Sequence, residues 1–259
     1  MSLEYLAQHG APLSRLDDIA QKLRLRICLM DPGQPHILYE NRLAEEFGVS
    51  RTPVRQVLQR LAYERQVETR TGVGTVVPRL EGATAAQDFH LLAGLFDLAA
   101  DTAAGALDRP ARALLAELSV LIEDIAVADG QDTDRRDSVA GTDAARGAKD
   151  PVGHTAMDAG AHTAGDETSG VRALFALHSW LITFAQHLLP EPILADCAAA
   201  IHWRVLRRLL QQEGPQHTVQ RIILDRLCTG LMSQNDARAA LQRIARAVTD
   251  LARLGAFQT

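Results

Sequence analysis

Long apolar runs are missing from this chain of 259 residues. A helix that crosses a bilayer needs about 20 consecutive apolar residues, so a membrane span is excluded by pattern. The opening MSLEYLAQHGAP has no basic stretch followed by an apolar one. No secretory leader is expected there, and the expected compartment is the cytosol. Cysteine is sparse: Cys28, Cys197 and Cys228 are odd in number and far apart. That spacing fits neither a disulfide framework nor a structural zinc motif. Residues 128–169 contain no Leu, Ile, Phe, Tyr or Trp and are filled with Asp, Gly, Ala and Thr. Such a stretch cannot bury enough apolar surface to offset its ordering entropy, and it predicts a disordered insertion. His154 and His162 within it are too isolated to predict a metal site.

What is present suits two domains, each with its own core: 47% hydrophobic and 23% charged residues in a chain of this length. The net charge of −5 is unevenly divided. Residues 1–80 carry 11 Lys+Arg against 9 Asp+Glu, leaving 16 against 23 for the remainder. The first part is therefore slightly basic and the second acidic, so an attraction to nucleic acid has to come from a local patch.

That patch is in Asn41–Leu61, NRLAEEFGVSRTPVRQVLQRL. Leu43, Ala44 and Phe47 give a short helix an apolar edge. Gly48 stands where the chain leaves that helix with φ > 0. Ser50 is placed to cap a second helix, with Pro53 in its first turn. Val54, Val57, Leu58 and Leu61 follow i, i+3, i+4, i+7 and predict one buried stripe. Arg51, Thr52, Arg55 and Gln59 fall opposite, as a major-groove reading helix requires. Val67–Arg70 and Thr75–Val77, joined through Thr71-Gly72-Val73-Gly74, predict a hairpin. An earlier helix is expected from a Ser14 cap, with Leu16, Ile19, Leu23 and Ile27 inward and Lys22, Arg24 and Arg26 mostly solvated. Together these elements predict a winged helix-turn-helix over residues 1–80.

EFGVSRTPVRQVLQRL followed by TGVGTVV resembles the GntR family of bacterial transcription regulators, in its FadR-like (FCD-type) branch, over about Leu16 to Val77. The resemblance implies that Arg51, Thr52 and Arg55 contact bases or phosphates of double-stranded DNA. It implies backbone contacts from Asn41, Arg42, Ser50, Thr71 and Gly72. Two residues depart from the family pattern: Asn41 stands where Arg is frequent, and Arg65 replaces a Gly just past the recognition helix.

Residues 81–259 predict an all-α antiparallel bundle of about six helices, at 84–107, 111–127, 170–189, 193–213, 216–232 and 235–254. Expected boundaries include Asp108-Arg109-Pro110, Ser169 as a cap, Pro190-Glu191-Pro192, Gly214-Pro215, and Asn235 or Ser233 as a cap. The resemblance implies an effector-binding and dimerisation domain, in many members with a metal held by Asp and three His. Here the corresponding positions are Leu174, His178, Gln220 and Ala247, so one ligand in four remains and no metal or other cofactor is expected. Using His202 or His217 instead would require a shift of helical register. His178 and Gln220 are expected as polar groups lining an effector pocket, with a hydrogen-bonded core histidine as the other reading of His178. An Arg frequent in the first bundle helix corresponds to Ala93, which turns the expectation from small acids toward an apolar acid or acyl-thioester. The overall expectation is a homodimeric repressor that releases its operator on binding a small molecule, with an activator of the same fold equally compatible with the residues. A ligand-processing helical enzyme is the alternative, but no nucleophile–base pair or paired carboxylates support it. A dimerising DNA-binding protein without ligand is the third reading.

Overall fold

The computed structural model describes residues 15–31, 33–81, 84–103, 105–144, 159–189, 191–211 and 216–255, with side chains described outside 127–169. Helix α1 (Arg15–Leu29) is followed by β1 (His36–Leu38), α2 (Glu40–Glu46), α3 (Arg51–Tyr63), β2 (Glu68–Arg70) and β3 (Gly74–Val77). These make a winged helix. Its core is built from Ile19, Ala20, Leu23 and Ile27 of α1, Leu43 and Ala44 of α2, the α3 stripe, and Leu38, Val67 and Val77. The expected Ser14 cap lies outside the described residues.

Gly48 (φ 60°) carries the α2–α3 turn. Its N–H donates to the Glu45 carbonyl at 3.2 Å and the Val49 N–H to that of Ala44 at 3.0 Å, closing a Schellman-type cap. Ser50 is the residue before α3, but its hydroxyl makes no capping bond; extended backbone alone sets the helix entry. The wing forms as an antiparallel pair, Arg70 opposite Gly74 and Glu68 opposite Val76. A further strand joins it. β1 pairs antiparallel with β3, His36 opposite Val77, giving the order β1-β3-β2.

Six helices follow among the described residues: α4 (Ala85–Thr102), α5 (Arg109–Ala144), α6 (Ala159–Leu188), α7 (Pro192–Leu210), α8 (Gln216–Met232) and α9 (Ala237–Gly255). Their shared core includes Phe96, Leu118, Leu174, Phe184, Leu206, Leu224 and Ile244. The predicted insertion is corrected at both ends. Residues 128–144 and 159–169 are helical continuations of α5 and α6. Extending an existing helix avoids a new nucleation step. Residues 145–158, including His154, lie outside the described residues. Boundaries also move. Helix α4 stops at Thr102, because Leu107 N–H bonds the Asn235 carbonyl at 2.7 Å and Ala237 N–H that of Gly105 at 3.2 Å. The α5 cap is Asp108, whose Oδ1 accepts from Ala111 N–H at 2.8 Å. The α9 cap is Asp236, rather than Asn235 or Ser233, accepting from Ala239 N–H at 2.8 Å.

Helices α1 and α7 join the two domains. Leu25 and Cys28 of α1 enter the bundle core while their neighbours fill the winged helix. From α7, Arg207 Nη1 donates to the Pro78 carbonyl at 2.6 Å and Nη2 to that of Asp31 at 3.3 Å. Just past α7, Gln211 Nε2 donates to the carbonyls of Cys28 at 2.6 Å and Met30 at 3.0 Å.

Candidate nucleic-acid interface

Val54, Val57, Leu58 and Leu61 are all buried, which clamps α3 by its back. Arg51, Thr52, Arg55 and Gln59 are exposed on its other side, as the 3.6-residue period requires. Asn41 and Arg42 on α2, Ser50 before α3, and Thr71 and Gly72 at the wing tip are exposed as well. Gly72 has φ 77°, so the tip turns through a conformation other residues rarely adopt.

The cations of this face differ in what holds them. Arg51 has no carboxylate partner among the described residues. Arg55 Nη2 is 3.1 Å from Glu40 Oε2, an exposed pair that raises the guanidinium's pKa through that hydrogen bond. Arg42 lies over the Tyr39 ring at 5.3 Å. The basic residues of α1 are engaged inside the fold. Lys22 pairs with Asp18 at 2.9 Å, Arg26 with Glu46, and Arg24 bidentately with Glu64 at 2.6 and 3.0 Å. Arg24 is 4% exposed and also lies 5.3 Å over Trp203 of α7. It is a structural residue of the domain junction, not a solvated one.

Arg65 takes the left-handed conformation (φ 59°) that its place after α3 demands. Its N–H bonds the Ala62 carbonyl at 3.1 Å, and Gln66 N–H that of Leu61 at 2.9 Å. A glycine would sit there without strain, whereas an L side chain costs roughly 1 kcal/mol.

In the bundle, His178 and His202 are completely buried side by side, His178 Nδ1 to His202 Nε2 at 3.0 Å. The rings meet edge to face. Burial lowers the His178 pKa to about 4, and it lowers that of His202 as well, helped by its neighbour. Both are held neutral. The pairing of His202 with His178 went unforeseen, since α7 carries it to that place without any shift in the later helices. Gln220, also buried, donates Nε2 to the Leu209 carbonyl at 3.1 Å. Leu174 and Ala247 are buried core residues with no donor atom on their side chains. Among the described residues no three His, Cys, Asp or Glu side chains gather in a way that could hold an ion. A pair of imidazoles bonded to each other, with Leu, Gln and Ala at the other three positions, does not fit the metal site that the family resemblance implies.

A cavity lies elsewhere, between the winged helix and α7. It measures about 760 Å³, and its lining includes Arg65, Val67, Pro78, Leu80, Trp203 and Arg207. Neither His178 nor Gln220 borders it.

A reading helix with a buried back and an exposed Arg/Thr face, flanked by a hairpin with a glycine tip, defines a winged helix-turn-helix DNA-binding domain. Residues 16–77 match the family model described as bacterial regulatory proteins, gntR family. That segment is a GntR-type helix-turn-helix domain. The chain is 41% identical over 69 residues to an uncharacterised HTH-type transcriptional regulator in an unstable DNA locus of Streptomyces ambofaciens. The match spans 27% of this chain and 29% of that protein. Among solved structures it resembles E. coli McbR/YncC with a TM-score of 0.52 at 20% identity, covering 93% of this chain and 97% of that one. The likeness extends the shared fold through the helical domain. No helix among the described residues is long and apolar enough to cross a membrane.

Proposed function

We propose that this protein is a cytosolic transcription regulator of the FadR-like (FCD-type) branch, with residues 1–80 reading DNA and 81–259 dimerising and sensing an effector. It acts as a repressor that binds a two-fold symmetric operator as a homodimer and releases it when a small molecule binds. The observation that carries the reading is the exposed face of Arg51, Thr52 and Arg55 on a helix fixed by four buried residues. Asn41, Arg42, Ser50, Thr71 and Gly72 are the assigned phosphate and sugar contacts around it. Dimerisation is supported by α4. Leu91 and Leu98, one heptad apart, are 50% and 56% exposed, with partly buried Leu95 between them. An apolar stripe on one helix is self-complementary across a two-fold axis.

The test is selection of binding sites from a random-sequence duplex pool by the full chain, followed by titration of the enriched site. Enrichment of an inverted repeat is expected. Arg51→Ala and Arg55→Ala should each weaken binding by roughly tenfold to hundredfold, the worth of a base-edge contact. Wild-type affinity in both variants would remove α3 from the reading.

A further inference from the structure

We infer that the cleft between the winged helix and α7 is a binding site for a small anion with an apolar body, its charged head held between Arg65 and Arg207. The inference rests on the effector-responsive reading above and gives that effector a place and a chemical class.

Three observations converge on it. Arg207 is 4% exposed, and among the described residues its guanidinium hydrogen-bonds the backbone carbonyls of Pro78 and Asp31 but no carboxylate. Its Nε has no acceptor among the described residues. The Asp31 carboxylate is near enough to act on Arg207 through its charge but is not bonded to it, accepting instead from Gly33 N–H and Gln34 Nε2, each at 2.8 Å. A buried cation with no carboxylate bonded to it is an unfavourable arrangement that an anion would relieve. The other α7 arginines are already matched, Arg204 and Arg208 both pairing with buried Asp88 at 2.7 and 3.0 Å. Arg207 is the odd charge of that helix.

Arg65 borders the same cavity from the other domain and has no salt-bridge partner among the described residues. It keeps a strained left-handed backbone where glycine would be relaxed, and its side chain is what that strain retains. Residues held in strain at the rim of a cavity are a recurrent mark of ligand contacts. The third observation is the cavity itself. At about 760 Å³ it is of metabolite size, and Ile27, Val67, Pro78, Leu80 and Trp203 give it apolar wall. A ligand spanning it would touch both domains, and so bear directly on the angle at which α3 is presented.

The full chain is titrated by calorimetry with 1-naphthoate, 1-naphthyl phosphate and the neutral 1-naphthol, and with the duplex selected above. Saturable binding of at least one anion, one per chain, is expected, with 1-naphthol at least about tenfold weaker. A preference for the phosphate assigns a phosphate ester, and a preference for the carboxylate an organic acid. Arg207→Gln and Arg65→Gly should each weaken the anion about tenfold or more. Arg65→Gly should at the same time raise the melting temperature of the ligand-free protein, so lost binding in that variant is not lost folding. Anions that fail to bind, or bind both variants as they bind wild type, overturn the inference while duplex selection leaves the DNA-binding reading standing. Failure to enrich any duplex overturns the DNA-binding reading instead, whatever the anions do.

Discussion

Acid should loosen the bundle in a window set by its buried histidines. An imidazole in the unfolded chain takes up its proton near pH 6.5, whereas His178 in the fold waits until about pH 4 because burial penalises its charged form. Between those values the unfolded state binds the extra proton, so stability falls as pH falls. The contribution is intact above pH 6.5, declines through pH 5, and is exhausted below about pH 4. At pH 5 the difference is about 1.5 pH units, or about 2 kcal/mol for His178 alone at 1.36 kcal/mol per unit. His202 adds in the same direction. For a chain of this size 2 kcal/mol corresponds to a fall of roughly 4–8 °C in melting temperature. The assay is a thermal melt of wild type from pH 7.5 to 5.0, beside a His178→Gln/His202→Gln double variant. The amides keep polar contact but do not titrate, so the variant should start lower and decline less between pH 6.5 and 5.0. Parallel declines would refute the reasoning, because the acid sensitivity would then come from groups outside this pair.

Replacing Glu40 by Gln removes the carboxylate that ties Arg55 in the free protein. Affinity for the selected duplex should rise a few-fold at low salt, with a steeper salt dependence, and an unchanged titration would mean that Arg55 does not move to DNA. Leu98→Glu places a charge in the exposed stripe of α4, and sedimentation should show the dimer dissociating at least tenfold more readily. A dimer of unchanged strength would put the interface on another face.

Much of the winged helix was legible because periodicity and turn chemistry act locally. The α3 stripe, the left-handed Gly48 and the Thr71–Gly74 turn each follow from a handful of neighbouring residues. Strand β1 was not legible: His36-Ile37-Leu38 is too short to alternate, and its pairing with β3 is a long-range event. The helical extensions into 128–144 and 159–169 were not legible because composition reports what a segment can bury, while a helix already begun continues without a new nucleation step. Ser50 stands where a cap belongs, yet its hydroxyl makes no capping bond, since sequence gives a residue's place and not its rotamer. The strain at Arg65 could be anticipated from the departure from glycine, but the cavity beside it could not. Arg24 looked like a surface cation because its partner Glu64 is 40 residues away.

The junction was hidden for a related reason, and the reason bears on how the molecule works. Arg207 and Gln211 reach backbone carbonyls at Cys28, Met30, Asp31 and Pro78, and a carbonyl has no sequence signature. These acceptors lie at the end of α1, where the chain turns toward β1, and just past β3, where it leaves the winged helix for the bundle. Bonds to both points hold the unit as one body, because α1 packs against α3 through Ile19, Leu23, Val54 and Leu61. A ligand that displaced Arg207 from its carbonyls would therefore act on the orientation of the whole reading head rather than on α3 within it. Side-chain contacts support the same junction, with Tyr63 donating to Asp196 Oδ2 at 2.6 Å and Arg24 lying over Trp203. Tyr63 ends α3 and Asp196 opens α7, so the reading helix and the helix that carries Arg207 are joined at their ends.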